Sequence, residues 1–185
     1  MNHQDEKPII YLIGARGAGK TTVGKPLAQA LLYDFIDTDA CVTEQCRMSI
    51  SQLVEQSGWR SFRELESDVL RQVSKPHRLV STGGGIVMAP ENRAFMQSSG
   101  KVVYLRASAE TLAERLSHTP QAHQRPSLTG KCIVEEMAEV LSKREPLYLE
   151  CADIVVDATC PVPELISQIC TRIHAAVIVP AAVLL

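Results

Sequence analysis

The sequence predicts an α/β fold: a five-stranded parallel sheet flanked by helices, built on a phosphate-binding loop. Three observations carry that expectation. Short apolar runs alternate with longer segments of helical period, the pattern of successive βαβ units. The first apolar run, Ile9-Ile10-Tyr11-Leu12-Ile13, leads into Gly14-Ala15-Arg16-Gly17-Ala18-Gly19-Lys20-Thr21-Thr22 and then into a helical stretch. That segment fits G-x-x-x-x-G-K-[ST] in the strand–loop–helix setting the motif requires. Finally, 185 residues with 45% hydrophobic side chains and a net charge of −2 suit one globular domain with a sizeable core.

The elements follow in order. Strands are expected over 9–13, 34–36, 79–82, 102–105 and 154–157, each a short apolar run. Helices are expected over 20–32, 51–57, 60–73, 91–98, 109–116, 133–150 and 164–176. In the last of these Leu165, Ile169, Ile173 and Ala176 recur at helical spacing. Pro146 is expected to kink the helix that contains it. Strands this short suit a sheet covered on both faces. The stretch 118–131 is polar, carries two prolines and a glycine, and lacks apolar periodicity, so it reads as a mobile lid. The apolar end, 177–185, reads as a buried or floppy tail; the uncharged run that contains it is too short to cross a bilayer and is broken by Pro180.

Composition narrows the function classes. Near-neutral charge argues against a surface for nucleic acid, so phosphate chemistry should be local. Cys41, Cys46, Cys132, Cys151, Cys160 and Cys170 form no C-x-x-C pair and no metal-ligand spacing. They read as reduced thiols of a cytoplasmic protein, with no leader expected before the first strand and no membrane partner.

The loop's glycines let several N–H groups face one concavity at a helix N-terminus, a site for phosphate. Lys20 would reach the β- and γ-phosphates, and the Thr21 hydroxyl would ligate Mg²⁺. Asp37 and Asp39 stand at the carboxyl end of the second strand, where ligands bind in open α/β sheets. Two residues apart on an extended backbone, they would share a face; one would hold Mg²⁺ and the other accept a hydroxyl proton. A simple strand-end turn with an Asp cap is the alternative. Arg63 and Glu66 lie three apart on one helical face, either as a surface pair or as an arginine oriented to grip a carboxylate. Gly83-Gly84-Gly85 is conformationally costly and suits a close approach of ligand to backbone. Arg125, before Pro126 in the lid, could reach a transferring phosphate. Arg144 lies in Lys143-Arg144-Glu145-Pro146-Leu147-Tyr148, otherwise readable as an exposed charged turn.

Taken in order, these motifs resemble shikimate kinase, a small P-loop kinase family, over about residues 8–174. The matching set is the loop Gly14 to Thr22, Phe35-x-Asp37-x-Asp39, Phe62-Arg63-x-x-Glu66, Gly83-Gly84-Gly85, Arg125-Pro126 and Arg144-x-Pro146-Leu147-Tyr148. Arg16, Thr38 and Leu128-Thr129-Gly130-Lys131 look closest to the second isoform of enteric bacteria. The resemblance implies phosphorylation of the 3-hydroxyl of shikimate by ATP with Mg²⁺, a step of aromatic amino acid (chorismate) biosynthesis. It also implies a cytoplasmic monomer. By the same resemblance Lys20 and Thr21 serve phosphates and metal, Asp37 holds Mg²⁺, and Asp39 meets the reacting hydroxyl. Arg63 and Arg144 bind the carboxylate, the Gly84–Gly85 backbone contacts substrate hydroxyls, and Arg125 closes over the phosphates. The stretch Asp157-Ala158-Thr159 falls near adenine. The sequence departs from the family pattern in three places. His118 and His123 stand where some members carry another basic lid residue, Ser127 follows Arg-Pro, and the tail has no counterpart. The alternatives are another small-metabolite P-loop kinase, such as a gluconate kinase, or a non-catalytic ATP-binding module.

Overall fold

Every residue of strand β1 (Ile9–Ile13) is buried. A strand covered on both faces has no use for alternation, which is why it reads as a continuous apolar run. The structure, a computed structural model, describes residues 8–118 and 132–178. After β1 come α1 (Lys20–Leu31), β2 (Asp34–Asp37), α2 (Thr38–Cys46), α3 (Ile50–Val73) and β3 (Arg78–Ser81). A short 3₁₀ turn, Ile86–Met88, precedes α4 (Pro90–Ser99), β4 (Gly100–Arg106) and α5 (Ala109–Ser117). The chain ends with α6 (Ile133–Cys151), β5 (Ile154–Asp157) and α7 (Val162–Ile178).

The five strands form one parallel sheet in the order β2-β3-β1-β4-β5. Tyr11 of β1 lies opposite Val80 of β3 and Val102 of β4. The chain moves from β1 to one edge, returns to β3, and then crosses to β4 on the other side. The carboxyl ends around β1 therefore border the crevice where such sheets bind ligands.

Burial falls into two clusters. The larger packs helices on the sheet through Leu12, Leu27, Leu70, Val103, Leu105 and their neighbours. The smaller joins α2 to α3 through Val42, Ile50, Leu53, Phe62 and Val69.

Two expectations are revised. Asp37 and Asp39 do not share a face of an extended strand. Helix α2 begins at Thr38, and the Asp37 side chain caps it by accepting from the N–H groups of Asp39 and Ala40. The N-cap preference of aspartate wins over strand continuation. Helix α2 itself escaped detection because it buries little besides Thr38 and Val42, so it leaves no apolar stripe. The helices expected over 51–57 and 60–73 are both present, as the two arms of α3, which is broken between them at Gly58 (φ 78°, ψ 167°) and opened by a Ser49/Gln52 capping box. The helix expected over 133–150 is α6, which continues through Pro146 with Met137, Val140 and Leu141 before it and Tyr148 and Cys151 after it all buried. Helix α7 extends two residues into the expected tail. Residues 179–185 and 119–131, including most of the expected lid with Arg125, lie outside the described residues.

Leu12 is fully buried at the centre of the sheet. Leu12→Ala should lower unfolding free energy by about 2–5 kcal/mol, measured by urea denaturation.

Candidate active site

The phosphate loop leaves β1 at Ile13 and enters α1 through Gly19, whose φ of 90° is left-handed. A β-carbon is strained there, so the glycine is required. Helix α1 has no side-chain cap and no acidic residue in its first turn. Helices α2, α3 and α5, by contrast, are capped by Asp37, Ser49 and Ser108. The first N–H groups of α1 are thus left without a side-chain acceptor at its positive end, the arrangement that binds phosphate. The Lys20 ammonium donates to Gly14 O at 2.8 Å and Ala15 O at 2.9 Å, folding back over its own loop.

At the second residue of α1, the Thr21 hydroxyl donates to Asp37 Oδ2 at 3.0 Å. Asp37 Oδ1 takes the two α2 amides, so both oxygens are positioned. A hydroxyl and a carboxylate at this spacing suit Mg²⁺, a hard ion that uses few protein oxygens and completes its shell with phosphate and water. Among the described residues no group of three or more His, Cys, Asp or Glu could hold a metal alone.

Asp39 sits in the first turn of α2, half-buried, and leans toward the glycine turn that follows β3. The Gly83 N–H donates to the buried Thr38 hydroxyl at 3.1 Å. A β-carbon on Gly83 would lie 2.9 Å from Asp39 Oδ1 and would collide with Glu66 Oε1. One on Gly84 would lie 3.2 Å from the Arg16 amide of the phosphate loop, and one on Gly85 would strike the Arg63 guanidinium. Close approach on three sides accounts for three consecutive glycines.

Arg63 and Glu66 form a 2.5 Å ion pair, with side-chain exposures of 29% and 2%. Trp59 and Phe62 flank the guanidinium, which lies 5.5 and 5.0 Å from their ring centroids. Removing either member would strand a largely buried charge, at a cost of about 3–5 kcal/mol. From the other side, Arg144 Nη1 donates to Gly84 O at 3.1 Å. Arg63, Arg144, Lys143, Glu139 and Trp59 line one cavity of about 530 Å³. Three of these five side chains are cationic, so the cavity suits a small anion.

A second cavity, of about 710 Å³, lies beside the phosphate loop. It is lined by Gly17 to Gly19, Arg115 and His118, with the Ala158–Cys160 turn closing it. Arg115 of α5 reaches Gly17 O and Ala18 O at 3.5 and 3.4 Å and Ala158 O at 2.7 Å, tying the loop to the turn after β5. Asp157 at the head of that turn is held below the usual carboxylate range, first by the Thr159 hydroxyl and then by its amide. The sequence reading missed Arg115. Nothing local distinguishes it from any charged helix residue; its role appears once α5, the loop and β5 are brought together.

Of the expected site residues, Gly14 to Thr22, Asp37, Asp39, Arg63, Gly84, Gly85 and Arg144 converge at the carboxyl end of the sheet. Arg125 falls outside the described residues. The expected turn at 157–159 does line the cavity beside the loop.

Comparison with known proteins agrees with this arrangement. The shikimate kinase family model matches residues 16–175. A protein named shikimate kinase 2 from Photorhabdus laumondii is 56% identical over 150 residues, covering 81% of this chain and 86% of that one. One of the same name from Yersinia enterocolitica is 55% identical over 160 residues, covering 86% and 92%. The structure of shikimate kinase from Acinetobacter baumannii in complex with shikimate superposes with a TM-score of 0.85 at 32% identity, covering 92% and 94% of the two chains.

The close approach of Gly85 to Arg63 generates a test. Gly85→Ala should cost about 1–3 kcal/mol of stability through overpacking. The cost should shrink in an Arg63→Ala background, where the colliding guanidinium is gone; urea denaturation of the four proteins measures both.

Proposed function

The chain belongs to the shikimate kinase family, and we propose that it transfers the γ-phosphoryl group of ATP to the 3-hydroxyl of shikimate in this crevice. The observation that carries the reading is the convergence on one glycine turn of two arginines and a carboxylate beside a phosphate loop. Shikimate has a carboxylate at one end and hydroxyls elsewhere. Arg63 and Arg144 match the first in fork geometry. Asp39 and the Gly84–Gly85 backbone match the second. A gluconate-type acceptor also has a carboxylate and hydroxyls, but the family match favours shikimate. The product would serve aromatic amino acid biosynthesis.

Phosphoryl transfer asks the protein chiefly for positioning and charge stabilisation. The loop amides and the α1 N-terminus hold the phosphates, with Gly14 to Thr22 as the cradle. Lys20 exchanges its loop carbonyls for phosphate oxygens. Thr21 and Asp37 would hold Mg²⁺, which when bound neutralises phosphate charge. Asp39 orients the 3-hydroxyl and accepts its proton as the new P–O bond forms. Arg125, in the segment 118–131, would close over the phosphates and exclude water. The net charge of −2 and the absence among the described residues of a helix long and apolar enough to cross a membrane leave small molecules as the partners we propose. We read the chain as a single-domain cytoplasmic monomer.

The reaction is tested by mass spectrometry of products after incubation with Mg·ATP and shikimate, gluconate or AMP. Shikimate 3-phosphate should dominate; equal or faster turnover of gluconate would refute the substrate. Asp39→Asn should lower kcat by about 10²-fold or more, with ATP binding little changed, because a general base contributes on that scale. Steady-state kinetics and ATP titration read the two effects.

A further inference from the structure

Tyr148 has no part in the scheme above, yet it is fully buried and touches the centre of the site. Its hydroxyl donates to Gly84 O at 2.5 Å. The same carbonyl accepts from Arg144 Nη1 at 3.1 Å, so one peptide oxygen has two donors from one helix. Its ring stacks on Tyr104, with centroids 4.9 Å apart and planes 23° apart, which fixes the direction of the hydroxyl. Burial pushes the Tyr148 phenol up to about 12, so it remains a proton donor across the working pH range.

A guanidinium has five donors, and a carboxylate takes two of them in a fork. Arg144 has one Nη1 donor on Gly84 O, and any turn of its fork toward a carboxylate loosens that hold. A buried carbonyl that loses its donor costs free energy. The Tyr148 hydroxyl removes that cost, because it keeps Gly84 O satisfied while Arg144 moves. It also holds Gly84 against the Arg16 amide, so the turn cannot follow the arginine.

We infer that Tyr148 is a positioning residue that holds the Gly84 carbonyl so that Arg144 is released to bind the acceptor's carboxylate. This rests on the assignment of Arg144 to that carboxylate.

The test is Tyr148→Phe, which keeps the ring and its stack and removes one oxygen. KM for shikimate should rise about three- to tenfold, the worth of one hydrogen bond. KM for ATP and kcat should stay within about twofold, since the substitution removes no contact of Lys20 or Thr21. In an Arg144→Ala background the same substitution should add almost nothing, because the arginine it serves is absent. Tyr104→Phe is the control. Its hydroxyl has no hydrogen-bond partner among the described residues, so KM should not change. A Tyr148→Phe protein with unchanged shikimate KM, with equal rises in both KM values, or with an effect additive to Arg144→Ala would overturn the inference. If Arg144→Ala itself leaves shikimate binding intact, the acceptor-site reading fails instead. In the unaltered protein a slowly exchanging Tyr148 hydroxyl proton should be visible by NMR with and without shikimate. Its rapid exchange in the bound state would equally overturn the inference, whether or not the variant folds.

Discussion

The turn Gly83-Gly84-Gly85 is the contact on which the site depends. It lies where β3 ends, and each of its glycines abuts a different functional group. Gly83 meets Glu66 and Asp39, Gly84 meets the phosphate loop, and Gly85 meets Arg63. Its backbone is held by Thr38 from α2 and by Arg144 and Tyr148 from α6. Donor and acceptor sides of a phosphoryl transfer must be fixed within a fraction of an ångström. On the proposed reaction both sides are referenced to one turn of three residues, and a side chain at each position would press on a different part of the site.

Electrostatics divides the site by what each helix end lacks. Helix α1 opens without a side-chain cap and with no acid in its first turn, so its positive end faces the ligand space. Helix α2 opens with Asp37, which satisfies two of its amides and meets Thr21 of α1. On the function proposed above, the anion would sit at α1 and the cation between the two helices. The buried Glu66 beside Arg63 follows the same logic. A lone arginine facing an empty cavity would be free to rotate, and the ion pair holds it in one orientation. The pair itself is weak support for stability, and its clearer effect is direction.

Much of this was legible in the sequence because the chemistry sits in contiguous motifs. Strands β1 and β5 fall at 9–13 and 154–157 as read, since both are apolar runs closed by turn residues. The phosphate loop, Asp37, Asp39, Arg63, the glycines and Arg144 were all named from local pattern. What stayed hidden is what depends on tertiary contact. Helix α2 has no apolar stripe, so its periodicity is silent. Arg115 looks ordinary in sequence, as one more helix cation, and Tyr148 is visible only as the last residue of the Arg144 motif, with no role of its own. Their roles come from carbonyls 43 to 98 positions away along the chain.

The two hydrophobic clusters assign different mechanical characters to the two halves of the reaction. The donor side stands on β1 and the large cluster, where every strand residue is buried. The proposed acceptor side is divided: Arg144 and the glycine turn stand on elements of the large cluster, while Asp39 and Arg63 stand on α2 and α3, joined by a small cluster and attached to β2, the edge strand with little burial. Few buried contacts mean low local stability, and elements that must move come from that end of the range. Gly58 interrupts α3 five residues before Arg63, so the first half of the helix can shift without dragging the clamp. The Arg63 end is held separately, by Glu66, by Phe62 in the small cluster, and by the glycine turn. On the proposed reaction, a phosphate cradle on the large cluster and an Asp39–Arg63 side on the small one, pinned at one turn, would let substrate enter without loosening the cradle.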